Sequence, residues 1–451
     1  MNAYPPFSLL LFLGRRFGPG IVLIAGLFVL AGAGVVPGRF SEGGSSVRRS
    51  NLDNGLTVVT QTDTASAVTV VEIIVKGGAR AEPVAKAGLS YLATRITAEI
   101  QDSDTARDFM VKALRTSVTS RDDASIIHLE CLTEFADSAL ASLLKILTDP
   151  LFTNIRLDRL TEALNHQQRI QADDAVNEAR LAQREAFFGG TSSGGSIFGT
   201  EASLATIKPK DLKAFHARRF VAGNMIVVAV SDLEPVQLLT LIERHFKALK
   251  PGPSSESDTE PFSLKNPPYP IRTIVKEQQQ SVVSCAFPLA PISRRDYVLV
   301  SLIENILGRG PGSRLWGLRT DKKLAYSVSA LATPFRQGGI FEAYLETDAL
   351  KTDTSKEALE EELRRFFLDG ISSEEFLAGR AVLQADFLRA NETKANRTST
   401  LGFFESTGLG ADFFDQFAGE LSSMTHDETN AAVKRLLDPA RASWIIVGPK
   451  R

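Results

Sequence analysis

Apolar residues along this chain recur with two different periods, and the switches between them outline its elements. Alternation of period two starts at Leu56 (LTVVTQT) and again at Val68 (VTVVEIIVKGG), which predicts two strands. Leu89, Leu92, Ile96 and Ile100 then fall three and four apart, one buried stripe of a helix over 86–100. A further strand (SIIHLECL) and a helix over 135–147 follow, and Asp149-Pro150 closes them. A long, polar-rich helical stretch is expected over 154–188. After a Gly/Ser loop (GGTSSGGSIFGT) come a helix over 208–220, a strand (NMIVVAVSDL) and a helix over 234–249.

The pattern changes at 251–270 (PGPSSESDTEPFSLKNPPYP), where six of the 20 prolines sit among Ser, Glu and Asp. Such a composition cannot pack a core and reads as an extended linker. Beyond it the order of elements starts again: strand (SVVSCAFPL), helix over 296–307, a glycine-rich turn, two strands (YSVSALATPF and GIFEAYLET), helices over 354–368, 373–405 and 427–437, and a last strand (RASWIIVGP). This is an internal repeat of roughly 200 residues. Strands and helices cluster separately within each half, so the expected class is α+β, with one domain over 47–250 and a second over 271–451.

Composition narrows the chemistry. Across 451 residues, 51 Lys and Arg face 53 Asp and Glu, a net charge of -2 with both signs interspersed. That offers no basic field for a phosphate backbone, and nucleic acid is excluded as a partner. The five histidines, His128, His166, His216, His245 and His426, are scattered so widely that no two share a helical turn, which rules out a local His-x-x-x-His zinc motif. Cys131 and Cys285 stand in apolar strand-like runs and read as two buried free thiols, with a bridge left open. Residues 1–36 carry Arg15-Arg16 before an apolar run over 20–36, with Ala31-Gly32-Ala33 as a cleavage-type signature. They read as an export signal or an uncleaved membrane anchor. Either orients the chain outward, most simply into a bacterial periplasm.

Several short blocks carry a resemblance. They are Asn54-Gly55-Leu56, the turn Gly77-Gly78-Ala79-Arg80-Ala81-Glu82, Gly88-Leu89, Gly199-Thr200 through Asp211-Leu212, Phe215-His216 and Asn224-Met225. In the second half they are Leu307-Gly308, Ser313-Arg314-Leu315-Trp316, Leu318-Arg319 and Leu324-Ala325-Tyr326-Ser327-Val328. In order and spacing they resemble the pitrilysin/insulinase family of metallopeptidases, in particular its small processing-peptidase-like members. The resemblance implies two homologous α/β-roll domains, each an antiparallel-rich sheet with packed helices. It also implies a zinc site on the first-half helix, an inverted His-x-x-Glu-His motif with a third ligand, a Glu, on the long helix that follows. Here the motif positions read Ser90, Ala93 and Thr94, and the long-helix stretch ALNHQQRI over 163–170 has no Glu. Neutral hydroxyls without imidazole or thiolate do not hold zinc, so no metal is expected in this chain. His166, on that polar helix face, reads as solvated.

The second half retains what the family uses to hold substrate backbone, an Arg and a Tyr seven positions apart, here Arg319 and Tyr326 in LRTDKKLAYSV. From the residues alone, Arg319 could equally pair with Asp321 and Tyr326 cap a core strand. The turn over 308–312 lacks the Gly-Lys-Ser/Thr ending of a phosphate loop and reads as a turn. The family's substrate-pairing edge strand corresponds to TSVTS over 116–120, which could also be a solvated hairpin tip. These features together imply a non-catalytic subunit that pairs with a zinc-bearing homologue as a heterodimer. It would lend Arg319 and Tyr326 to peptide hydrolysis there, with zinc in the partner. The alternative is a structural or peptide-binding scaffold resembling respiratory-complex core proteins.

Overall fold

The computed structural model describes residues 47–254, 264–265 and 269–450. The export or anchor segment expected over 1–36 lies outside the described residues. Among the described residues no helix is long and apolar enough to cross a membrane.

The first half runs β1 (Val47–Asn51), β2 (Thr57–Thr62), β3 (Val68–Lys76), α1 (Leu89–Thr97), α2 (Ser103–Val111), β4 (Arg115–Ser120), β5 (Ala124–Leu132), α3 (Ala136–Thr148), α4 (Asn154–Ala172), α5 (Ala175–Phe188), α6 (Glu201–Thr206), α7 (Pro209–Arg219), β6 (Met225–Ser231) and α8 (Pro235–Phe246). The second runs β7 (Arg272–Val275), β8 (Gln280–Leu289), α9 (Arg294–Gly308), α10 (Trp316–Thr320), β9 (Ser327–Phe335), β10 (Gly338–Asp348), α11 (Thr352–Asp369), α12 (Ser373–Ala390), α13 (Lys394–Thr407), α14 (Phe413–Ser422), α15 (His426–Leu436) and β11 (Ser443–Gly448).

The internal repeat is visible in the sheets. The first has strand order β1-β2-β6-β3-β5-β4, the second β7-β11-β8-β10-β9. All pairings are antiparallel except one in each sheet, β2 with β6 and β7 with β11, which occupy equivalent places. TSVTS lies in β4, the edge strand of the first sheet, and not at a solvated tip. Its counterpart β9 forms the edge of the second sheet.

The apolar run of β3 is nearly continuous because both faces of the strand are buried. Val71, Ile73 and Val75 point to one side and pack with Leu92 and Ile96 of α1, Leu143 of α3 and Ile242 of α8. Ile74 points to the other side, where with Val59, Ile226 and Val228 it meets Leu401 of α13, a helix of the second half. The second sheet returns the exchange. Cys285 and Phe287 pack among its own helices, while Val282, Ile445 and Val447 meet Ala179 and Ala182 of α5, and Ala286 and Phe335 meet Phe187 and Phe188. Each half therefore covers the outer face of its sheet with a helix of the other, and each buried phenylalanine contributes about 2 kcal/mol to that joint. Polar ties reinforce it: Lys394 Nζ, buried, donates to Ser66 O at 2.5 Å and Val68 O at 2.8 Å.

Two stretches expected as single helices are broken by caps. Over 154–188, Asp174 takes the N–H groups of Val176 and Asn177 at 2.9 and 3.3 Å and starts α5 afresh. Over 373–405, Thr393 does the same for α13 through Asn396 N–H at 3.1 Å. These breaks give α5 and α13 their own directions, toward the opposite sheet. The described end of the linker also packs: Tyr269 lies edge-on to Phe187, ring centres 4.8 Å apart.

Candidate functional site

Helix α1 begins with the first residue of its apolar stripe, Leu89, three residues after the expected start at 86, because Gly88 precedes it in a left-handed conformation, φ 97°. A side chain at Gly88 would strike Phe198 O and Leu204. The helix N-terminus is held by Glu82, whose carboxylate accepts Gly88 N–H at 2.8 Å and Ser90 N–H at 2.7 Å. Glu82 is 3% exposed. Burial pushes its carboxyl up from 4.5 to about 7, the two backbone donors opposing the rise.

The zinc-motif positions face the core. Ser90, Ala93 and Thr94 are fully buried. Thr94 Oγ1 is spent on Ser90 O at 2.8 Å, and Ala93 offers only a methyl group. On α4, His166 is exposed, and Gln168 Nε2 donates to Phe198 O and Gly199 O at 3.2 and 3.1 Å, tying the loop over 195–200 to α4. This donor set does not fit zinc. Among the described residues no group of three or more His, Cys, Asp or Glu is placed to hold a metal ion. His216 is a core residue: Nε2 lies 3.0 Å from Leu147 O, its ring stacks on Phe220 at 4.3 Å, and burial pushes its pKa down to about 4. Cys131 and Cys285 are buried free thiols on different sheets.

Between the two halves lies a cavity of about 420 Å³. The ends of both edge strands border it, Val118–Ser120 of β4 and Leu331–Phe335 of β9, together with Tyr91 of α1 and Phe403 of α13. Ionic groups pin its rim. Arg184 makes a bidentate pair with Asp122, at 3.1 and 2.5 Å. Arg180 Nε reaches Glu342 across the halves at 3.1 Å. Asp123 accepts Arg336 N–H at 2.5 Å, again across the halves, and burial pushes its carboxyl up to about 6.

Arg319 and Tyr326 lie elsewhere, on the second-half surface at α10 and just before β9, and neither lines the cavity. The Arg319 guanidinium carbon lies 4.7 Å from the Trp316 ring centre. Asp321, the alternative partner, accepts instead from Thr320 Oγ1 at 2.9 Å. Tyr326 donates its backbone N–H to Glu346 O at 2.8 Å and is 54% exposed, so it does not cap a core strand with its ring. The segment between them is anchored from below by Thr347 Oγ1, which donates to Leu324 O at 2.6 Å. The turn after α9 has Gly310 and Gly312 at φ 79° and 89°, as a turn requires. Sequence reasoning missed Glu82. The acid placed six residues before Gly88 was the only signal for it.

The insulinase family (peptidase family M16) matches residues 57–201, and the peptidase M16 inactive domain matches residues 206–383. The chain belongs to this family. It is 24% identical over 388 residues to the "Non-peptidase homolog YmxG" of Helicobacter pylori, covering 84% of this chain and 89% of that protein. It is 20% identical over 398 residues to the "Uncharacterized zinc protease YmxG" of Bacillus subtilis, covering 86% and 95%. A solved peptidase M16 inactive domain from Pseudomonas fluorescens superposes with a TM-score of 0.81 at 20% identity, covering 90% of this chain and 98% of that one. A chain of complex III2 from Candida albicans superposes with a TM-score of 0.76 at 16% identity, covering 89% and 96%. At these identities the solved structures speak for the fold.

Proposed function

We propose that this chain is the non-catalytic subunit of a heterodimeric zinc metallopeptidase. In this reading it holds no zinc of its own and lends Arg319 and Tyr326 to the active site of a zinc-bearing homologous partner. The observation that carries it is a contrast within the chain: the zinc-motif positions are sealed in the core, while Arg319 and Tyr326 stand on the surface outside this chain's own cavity. An exposed guanidinium supplies fixed donors to a peptide carbonyl, and an exposed phenol can donate to that oxygen as charge develops on it. The charged-then-apolar segment over 15–36 supports export, with the pair working in the periplasm.

The test is reconstitution. The purified chain mixed with the zinc-bearing homologue of its genome should cleave peptides that neither hydrolyses efficiently alone, and Arg319→Ala or Tyr326→Phe should abolish most of that gain. Unchanged turnover in both variants sinks the shared site and leaves a scaffold.

A further inference from the structure

We propose that the cavity between the two halves is a subsite for a carboxylate carried by an extended peptide, with the Arg121 guanidinium as the group that receives it. The proposal rests on the reading of this chain as a peptide-binding subunit and adds the chemical class that its cavity selects.

The observation is a cation without a bonded counter-ion among the described residues. Arg121 occupies the turn from β4 to β5 and lines the cavity. Its backbone is committed, the N–H to Ala124 O at 2.7 Å and the carbonyl to Ala79 N–H at 3.2 Å. Its side chain is not. Nε and Nη1 are buried with no hydrogen-bond partner among the described residues, and the guanidinium carbon lies 5.6 Å from the Phe403 ring centre. Burial lowers its pKa from the ordinary guanidinium value, opposed by Glu72, Tyr297 and Asp123 nearby.

Most of the surrounding charges are engaged elsewhere, Glu72 through only one of its two oxygens. Glu72 Oε1 accepts from Ser399 Oγ at 2.5 Å and faces His128 Nδ1 at 3.5 Å. Asp123 takes Arg336 N–H and faces Arg80 at 3.5 Å. Asp122 is held by Arg184, and Arg180 by Glu342. Arg121 is thus the lining arginine that keeps its fork free, and a guanidinium fork matches a carboxylate with two parallel bonds. The walls suit the rest of such a ligand. The edge strands β4 and β9 meet there, an arrangement that accepts an extended backbone, and Tyr91, Phe335 and Phe403 supply apolar contact. Glu72 Oε2 is also without a hydrogen-bond partner. The competing account is therefore that Arg121 only balances the charge of Glu72.

The experiment is calorimetric titration of the full chain with three N-acetylated octapeptides of Ala, Val and Thr: one with a free C-terminal carboxylate, one C-terminally amidated, and one amidated with a single internal Glu. At least one acidic peptide should bind about tenfold or more tighter than the neutral amide, as charge-assisted bonding implies. The tighter of the two acidic arms tells a chain terminus from an acidic side chain. Arg121→Met should erase the preference without lowering the melting temperature, and Arg121→Lys should keep part of it. Equal binding of all three wild-type titrations overturns the carboxylate subsite and leaves peptide capture standing. Absence of binding by any peptide overturns both for this cavity. A fall in melting temperature in Arg121→Met with the preference intact assigns Arg121 to Glu72 and also overturns the proposal. None of these outcomes touches the reconstitution test, since Arg319 and Tyr326 lie outside this cavity.

Discussion

Helix α1 and the surface between α10 and β9 treat polar side chains in opposite ways. On α1, Ser90 and Thr94 are wholly buried, and Thr94 is bonded to the backbone of its own helix. Between α10 and β9, Tyr326 projects into solvent with its hydroxyl unbonded among the described residues, and Arg319 rests on one indole. The first arrangement is accounted for by packing. The second earns little from packing or from intramolecular bonding, so a role in stability does not explain it. The two halves thus differ: the first keeps the positions aligned with the zinc motif in its core, while the second exposes Arg319 and Tyr326.

The largest effect should come from forcing α1 back toward a metal site. Ser90→His, Ala93→Glu and Thr94→His together insert three larger side chains where no space is left. Overpacking typically costs 1–3 kcal/mol per substitution, roughly 5 kcal/mol in all. Calorimetry should show a steep fall in melting temperature, and elemental analysis should show less than one zinc per chain, since the stretch of α4 over 163–170 carries no Glu. A stable triple variant with a full zinc equivalent would break the comparison at its first term.

Next in size is the second term. In the reconstituted pair, Tyr326→Phe should lower turnover about 10²- to 10³-fold, the loss typical of one oxyanion donor. The melting temperature of the free chain should not move, because the hydroxyl bonds nothing among the described residues. Arg319→Ala should act in the same direction. A stability loss in Tyr326→Phe with normal turnover would recast the exposed phenol as a structural group.

The pH dependence of stability sharpens what it means for α1 to be core. Glu82, at the head of that helix, carries a folded-state pKa raised from 4.5 to about 7 by burial. Between those values the folded chain holds a proton that the unfolded chain releases, so its contribution is full below about pH 4.5 and is lost as pH rises through 7. Glu304, also pushed to about 7 by burial, and Asp123, pushed to about 6, act in the same sense. A displacement like that of Glu82 corresponds to at most about 3 kcal/mol. The melting temperature should fall from pH 5 to pH 8, and Glu82→Gln, which mimics the protonated acid, should flatten that slope. An unchanged slope would place the titrating groups elsewhere.

Much of this arrangement was legible in the chain, for identifiable reasons. The continuous run of β3 and the stripe of α1 declare burial locally, and the repeat of strands across the linker foretells two sheets of one topology. Arg319 and Tyr326 stood out only through the family resemblance, since their spacing alone fits a surface ion pair and a strand cap equally well. Other elements hide. β1 and β7 are short and mostly exposed, and α2 ends in Met110 and Val111, both turned to solvent, which blurs its period. Periodicity shows that a face is buried but not what covers it, so the exchange of α5 and α13 between the halves was invisible. Arg121 escaped for the same reason: its free fork depends on Ser399 engaging Glu72, 327 positions away in the chain.

The smallest effect is the most discriminating. Thr94→Val swaps a hydroxyl for a methyl at a position with no exposure. The lost bond to Ser90 O is one that a helix does not need, because that carbonyl already has the backbone N–H four residues on as its regular partner. The net change in unfolding free energy should stay within about 1 kcal/mol, measurable by urea titration, since a hydrogen bond of that net size is traded for apolar contact. Turnover in the reconstituted pair should be unaffected. Tyr326→Phe removes one hydroxyl as well, yet should change turnover and leave stability alone. If the two hydroxyls behaved alike in both assays, core and surface would not be divided as proposed, and chemistry would have to be sought on α1 after all.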